Sequence, residues 1–325
     1  MTQGVGVKSD VVLGAALSGS SKGGGDGRAS AMDRQAFLIL AHKDDEVFWT
    51  LIDMLDYPGN DLFVHMDVKN RRYLESAISR AVRWARVFHT QRTNVRWGGD
   101  SQIRAEFLLL RLATDVGFHD YYHLLSGQDL PIQTQETIRQ FLSQNRGKEF
   151  VQFAGWTFEH WDRVRYYYPL LRAIDPRRSR LARGVNHVGV ALQKWVGVDR
   201  NRGIEFQKGG NWFTITDDLA RHVVSRQAWA RKVFASTYCC DEVIMQTIVD
   251  NSRFRDRLYY PPGPGALPSS QRLIDWSRGG PYVFRGNDFE EIRGSSALFA
   301  RKFDSTVDVS IVRRIREAYS SRAPR

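Results

Sequence analysis

From residue 37 onward, short unbroken apolar runs alternate with stretches whose apolar residues recur at helical spacing. Phe37-Leu-Ile-Leu-Ala-His42 and Leu62-Phe-Val-His-Met-Asp67 have the length and composition of buried strands. Residues 86–90, 121–126 and 149–153 predict three more. Between them, residues 44–56, 73–83, 101–114 and 134–144 predict helices, the first stopped by Tyr57-Pro-Gly-Asn60. Strands spaced by helices of this length build βαβ units, so the expected fold is α/β, a mainly parallel sheet flanked by helices. Open sheets of this kind gather ligands at the carboxyl ends of their strands. The polar residues placed there are His42, Asp67 with Lys69, and Gly127-Gln-Asp129. The Asp and Gly among them are equally at home in turns.

The chain has 325 residues, 42% apolar and 26% charged. That is ordinary globular usage, with length enough to bury a core unaided. Disordered, collagen-like and small disulfide-stapled classes are thereby excluded. Cys239 and Cys240 are adjacent and are the sole cysteines, so no disulfide framework or Cys-built zinc site can form and a reducing compartment is the simpler setting. No apolar run reaches the ~18 residues of a membrane span, and residues 11–17 are too short and lack the basic flank of a secretory signal. Residues 1–31 end in a Gly/Ser-rich stretch and read as a flexible tail, leaving 32–325 as one folded domain. The expected location is cytoplasmic.

The net charge is +11, and most of it has an address. Residues 163–202 hold Arg163, Arg165, Arg172, Arg177, Arg178, Arg180, Arg183, Lys194, Arg200 and Arg202 against Asp175 and Asp199, with Tyr166, Tyr167, Tyr168 and Trp195 interleaved. The pattern fits a nucleic-acid or anionic-lipid surface, or the solvated face of a basic helical insertion near 157–205. No nucleic-acid-binding motif accompanies it, so nucleic acid is not expected as a partner. Peripheral contact at the inner face of a membrane is.

Two resemblances concern the chemistry. Ala41-His-Lys-Asp-Asp-Glu46 is similar to the opening motif of zinc-dependent amide hydrolases that deacetylate N-acetylglucosamine conjugates. Lys43 stands where proline is usual, and only His119 and His123, four apart, offer themselves as a later ligand pair. The second covers residues 35–305. Ala41-His-Lys…Tyr57-Pro-Gly-Asn-Asp-Leu-Phe-Val-His-Met-Asp-Val-Lys69 is followed in order by Tyr121-Tyr-His-Leu-Leu-Ser-Gly-Gln-Asp-Leu-Pro-Ile132 and Gly209-Gly-Asn-Trp-Phe-Thr-Ile-Thr216. Cys240-Asp-Glu-Val-Ile-Met-Gln-Thr-Ile-Val249 and Leu298-Phe-Ala-Arg-Lys-Phe-Asp304 complete the set. Together they resemble the core-2/I-branching family, glycosyltransferase family 14, which includes β-1,6-N-acetylglucosaminyltransferases and peptide O-xylosyltransferases. The resemblance implies a GT-A-like, Rossmann-like nucleotide-sugar-binding sheet. It also implies an inverting transfer from a UDP-sugar to an acceptor hydroxyl of a glycan, a polysaccharide precursor or a peptide.

Such a transfer needs a base for the acceptor proton and stabilisation of the diphosphate leaving group. No Asp-x-Asp occurs in the sequence; in Val64-His-Met-Asp-Val-Lys69 a lysine takes the place of the second acid, which argues for metal-independent chemistry without a cofactor. The resemblance implies Glu242 as catalytic base, in the first turn of a helix whose N-terminus favours an anion. It implies Lys302 as diphosphate ligand and Arg278 as its companion, both types suited to phosphate. On the donor side, Asp67 is a candidate for ribose or uracil, and Lys69, Gly127 and Asp129 for shaping the pocket. Trp212 is a candidate sugar platform, with Arg163, Arg165 and Tyr166 on the acceptor side. Residues 241–252 resemble the xylosyltransferase branch, but Asn211 stands where that branch usually has Asp; GlcNAc is expected ahead of xylose.

Overall fold

The computed structural model describes residues 33–155, 157–172, 180–262 and 269–321. The tail read at 1–31 lies outside them. Among the described residues nine strands are present: β1 (Gln35–Ala41), β2 (Asn60–Met66), β3 (Arg86–His89), β4 (Tyr121–Ser126), β5 (Asp129–Pro131), β6 (Phe150–Val151), β7 (Phe213–Thr216), β8 (Arg272–Ile274) and β9 (Phe299–Arg301). Six form one sheet in the order β3-β2-β1-β4-β7-β6. Pairing among β3, β2, β1 and β4 is parallel, with Gln35 opposite both Asn60 and Tyr121. β7 runs antiparallel to β4 and β6. The expected α/β sheet is thus a parallel half extended by antiparallel β7 and, beyond it, β6.

β2 is buried along its whole length, and β1 nearly so, which is why both read as continuous apolar runs. Their side chains alternate between two cores. Phe37 and Ile39 pack on one face with Val47, Leu51 and Ile315, whereas Ala36 and Leu38 pack on the other with Phe107, Leu219 and Ile248. Glu46–Leu55 and Val309–Tyr319 are helices of the first layer; Ser101–Val116, Asp217–Ser225 and Asp241–Asp250 belong to the second. The helix expected at 44–56 starts at Glu46, because Asp45 caps it by accepting from Phe48 N at 3.3 Å.

Two features depart from a simple alternation. β6 is not β4's neighbour, since β7 inserts between them. A second sheet, β5-β9-β8, is built from strands of three residues each, too short to leave a periodic signal. The stretch near 157–205 contains the short helix Trp161–Arg165 and the longer helix Arg180–Trp195; Arg177 and Arg178 lie outside the described residues. Cys239 and Cys240 are free and buried. Among the described residues no helix is long and apolar enough to cross a membrane.

Candidate active site

The ends of β1, β2, β4 and β6 and the start of antiparallel β7 meet at one edge of the sheet, so the residues following or preceding them share it. His42, just past β1, is lowered by desolvation against this edge, then by Lys43 and Lys302 and, more weakly, by Lys69, with Asp45 acting in the opposite sense. The ammonium groups of Lys43, Lys302 and Lys69 are therefore all felt at the His42 imidazole. Lys43 Nζ is 2.6 Å from Asp45 and 3.2 Å from Asp304. Lys69 Nζ sits 3.0 Å from Asp67 and donates to Val95 O at 2.7 Å. Asp45 and Asp304 thus answer the charge of Lys43, and Asp67 that of Lys69.

Asp67 itself is buried and internally committed. It accepts from Lys69 N at 2.8 Å and from Val95 N at 3.1 Å, so it shapes the loop after β2 and orients Lys69. Asp129 is also buried, accepting from Ser126 N (2.8 Å) and Ser126 Oγ (2.7 Å). Gly127 allows close packing: a Cβ there would stand 3.1 Å from Ala41 Cβ and 3.4 Å from Phe48.

Glu242 lies in the first turn of the Asp241–Asp250 helix, whose N-cap Cys240 gives no side-chain cap. Arg163 Nη1 donates to Glu242 Oε2 at 2.9 Å, and Lys208 Nζ is 3.5 Å from the same oxygen. Both cations converge on Oε2, which leaves Oε1 without a partner among the described residues. The side chain is 35% exposed, open enough for a substrate hydroxyl to reach it. The loop preceding β7 runs from the backbone of Glu242 to Arg301. Gly209 N donates to Glu242 O at 2.9 Å, and three residues on, the Trp212 ring lies 4.0 Å beneath the guanidinium of Arg301.

Sequence reasoning missed two groups of residues here. Arg301 is almost buried, 3.5 Å from Asp129 Oδ1, and its Nε and Nη1 have no hydrogen-bond partner among the described residues. It stood in plain view beside Lys302, but nothing local distinguishes it from a strand-end arginine. Behind Glu242, Asp241 Oδ2 accepts from Gln102 Nε2 at 3.0 Å, and burial, then the Glu242 carboxylate, pushes Asp241 up to about 7. Glu106 accepts from Asn211 Nδ2 at 3.0 Å and is held well above the usual carboxylate range by burial and by Asp241. A Glu among Ile103, Phe107 and Leu110 on a buried helical face was the available signal for it.

Other expected residues fall elsewhere. Arg278 is bound by Asp275, by Asp288 at 2.7 Å and by Glu291 at 2.6 Å, and stacks on Tyr282 at 4.2 Å, so three carboxylates answer its charge. Arg165 packs over Trp161 and faces Asp199, and Tyr166 lies beneath Lys194; of the acceptor-side trio only Arg163 meets Glu242. His119 Nε2 lies 2.7 Å from Asp61, and His123 stacks on Phe37 between Gln35 and Thr214; both are buried core residues. Among the described residues no three His, Cys, Asp or Glu side chains are placed to hold a metal ion. A cavity of about 590 Å³ lined by Ile103, Phe107, Ala230 and Phe234 shares no residue with the His42–Lys302 edge or with the surroundings of Glu242.

Residues 35–292 match the family described as Core-2/I-Branching enzyme. Xylosyltransferase 2 of Rattus norvegicus is 24% identical over 297 residues, covering 86% of this chain and 33% of that protein. Xylosyltransferase sqv-6 of Caenorhabditis briggsae is 22% identical over 277 residues, covering 78% and 33%. The chain thus spans about a third of the length of these curated relatives. Among solved structures, apo mouse xyloside xylosyltransferase 1 is similar at 10% identity and a TM-score of 0.35, covering 82% of this chain and 96% of that one. With four fifths of its length inside the family match, the chain belongs to the Core-2/I-Branching enzyme family of glycosyltransferases.

Proposed function

We propose that this protein transfers a sugar from a UDP-sugar to an acceptor hydroxyl with inversion, Glu242 serving as general base. The observation that carries the reading is the geometry of Glu242: two cations hold Oε2, Oε1 has no partner among the described residues, and the loop bonded to the Glu242 backbone leads to Trp212 and Arg301. Arg163 and Lys208 orient the carboxylate through Oε2 and leave Oε1 to an acceptor hydroxyl. In the step, the acceptor oxygen bonds to the anomeric carbon as its proton passes to Glu242 Oε1. The bond from that carbon to the β-phosphate oxygen breaks, and UDP leaves with the electron pair. Lys302, Lys43 and Lys69 then face the diphosphate charge, supported by Arg301 over Trp212.

Lys69 in place of a second acid supports metal-independent departure of UDP. The relatives named xylosyltransferase make UDP-xylose the first donor to try, with UDP-GlcNAc, which the sequence placed ahead, beside it. The acceptor class is a glycan, a polysaccharide precursor or a peptide. The test is donor consumption and product formation with both UDP-sugars, with and without EDTA, for wild type and Glu242→Gln. Turnover in EDTA and a drop of roughly 10²–10⁴-fold in the variant, with UDP binding retained, are expected. Unchanged turnover in the variant removes Glu242 as the base, and abolition by EDTA removes the metal-free mechanism.

A further inference from the structure

The helix Arg180–Trp195 presents its apolar stripe outward. It is held to the body by the opposite face: Val190 is buried, Gln193 accepts from Tyr167 N at 2.8 Å and donates to Tyr167 O at 3.0 Å, and Lys194 Nζ lies 2.8 Å from Asp162. Leu181, Val185, Val188, Leu192 and Trp195 are 46% to 82% exposed. At about 100° per residue these five fall within one stripe roughly 80° wide, facing away from Val190. From Pro176 to Val198 the sequence has no Asp or Glu and carries Arg177, Arg178, Arg180, Arg183 and Lys194.

We infer that this stripe docks onto an anionic membrane surface, lying in the interface with its aliphatic side chains and Trp195 among the acyl-chain ends. An exposed apolar stripe terminated by Trp, on a segment whose charges are all positive, is the composition of an interfacial helix. The charge selects this occupant over the others. A second copy of the chain would bring two basic segments together. Residues 1–31 carry Lys8, Lys22 and Arg28 against Asp10 and Asp26 and offer no acidic complement. Anionic headgroups supply the missing charge and the acyl region the missing apolar contact at once.

The experiment is co-sedimentation of the full chain with vesicles of phosphatidylcholine and with vesicles of phosphatidylcholine and phosphatidylglycerol in equal parts. Binding is expected to the anionic vesicles and to weaken as salt is raised. The double variant Leu192→Ser/Trp195→Ser should lose roughly tenfold or more in vesicle affinity while keeping the wild-type melting temperature, because both side chains are mostly exposed. Should the double variant melt early, Val188→Ser reads the same stripe at a position 69% exposed. Absence of binding to anionic vesicles overturns the inference. So does equal binding by wild type and variant, which would assign attachment to net charge alone. A concentration-dependent dimer, formed without lipid and dissolved by the double variant, would overturn it in favour of a second copy.

Discussion

Asp241→Asn should make the protein more stable at alkaline pH, and the structure sets the size of the effect. Burial and the adjacent Glu242 push Asp241 up to about 7, from an ordinary value of 3.8. Between those two values the unfolded chain binds fewer protons at this site than the folded one, so stability falls as pH rises from about 4 to about 7. Complete ionisation costs at most about 4 kcal/mol, from roughly three units at 1.36 kcal/mol each. Asn keeps an oxygen acceptor for Gln102 and carries no charge, and neighbouring groups relax around the carboxylate, so a gain of about 1–3 kcal/mol near pH 8 is expected. The measurement is urea unfolding of wild type and variant at a series of pH values from about 5 to about 8. Glu149, pushed to about 7 mainly by burial, contributes to both curves, and their difference isolates Asp241. Parallel curves, or a variant less stable at the alkaline end, would refute the reasoning.

Lys302→Ala is expected to lose most UDP-induced thermal stabilisation, whereas Arg278→Ala lowers the unliganded melting point by stranding Asp275, Asp288 and Glu291, with UDP still stabilising what folds. Gly209→Ala would place a Cβ 1.7 Å from Gln152 O, a backbone atom, so the loop must move; a stability loss of several kcal/mol and a fall in kcat larger than any change in UDP affinity are expected by denaturation and steady-state kinetics. Asn211→Asp would set a second carboxyl against Glu106; activity should rise on acidification relative to wild type, checked by the pH profile of kcat/KM.

The parallel half of the sheet was legible because β1, β2 and β4 are buried on both faces and so leave unbroken apolar runs. The Asp241–Asp250 helix was legible from its acidic first turn and apolar remainder. The β5-β9-β8 sheet was not, since three-residue strands have no periodicity to read. Glu242 was found through its surrounding block, but its contact with Arg163 spans 79 positions and is decided by tertiary packing alone. Arg278 was named through the resemblance alone, and its ion pairs with Asp288 and Glu291, ten and thirteen residues on, left no signal in the sequence. Glu106 was hidden because helical spacing records which face is buried and says nothing of which polar group that face has been made to accept.

The alternation of β1 between the two cores bears on how this lineage can vary. Replacing Phe37 by another apolar residue disturbs one layer, and the other layer can absorb nothing of it or contribute nothing to it. Deleting one residue from the strand would instead exchange the two layers' side chains and turn the position now held by His42 toward the opposite face. Drift by substitution is therefore open to this strand, whereas drift in length is closed. The spacing from β1 to the cationic edge should hold constant among related chains even where its residues do not.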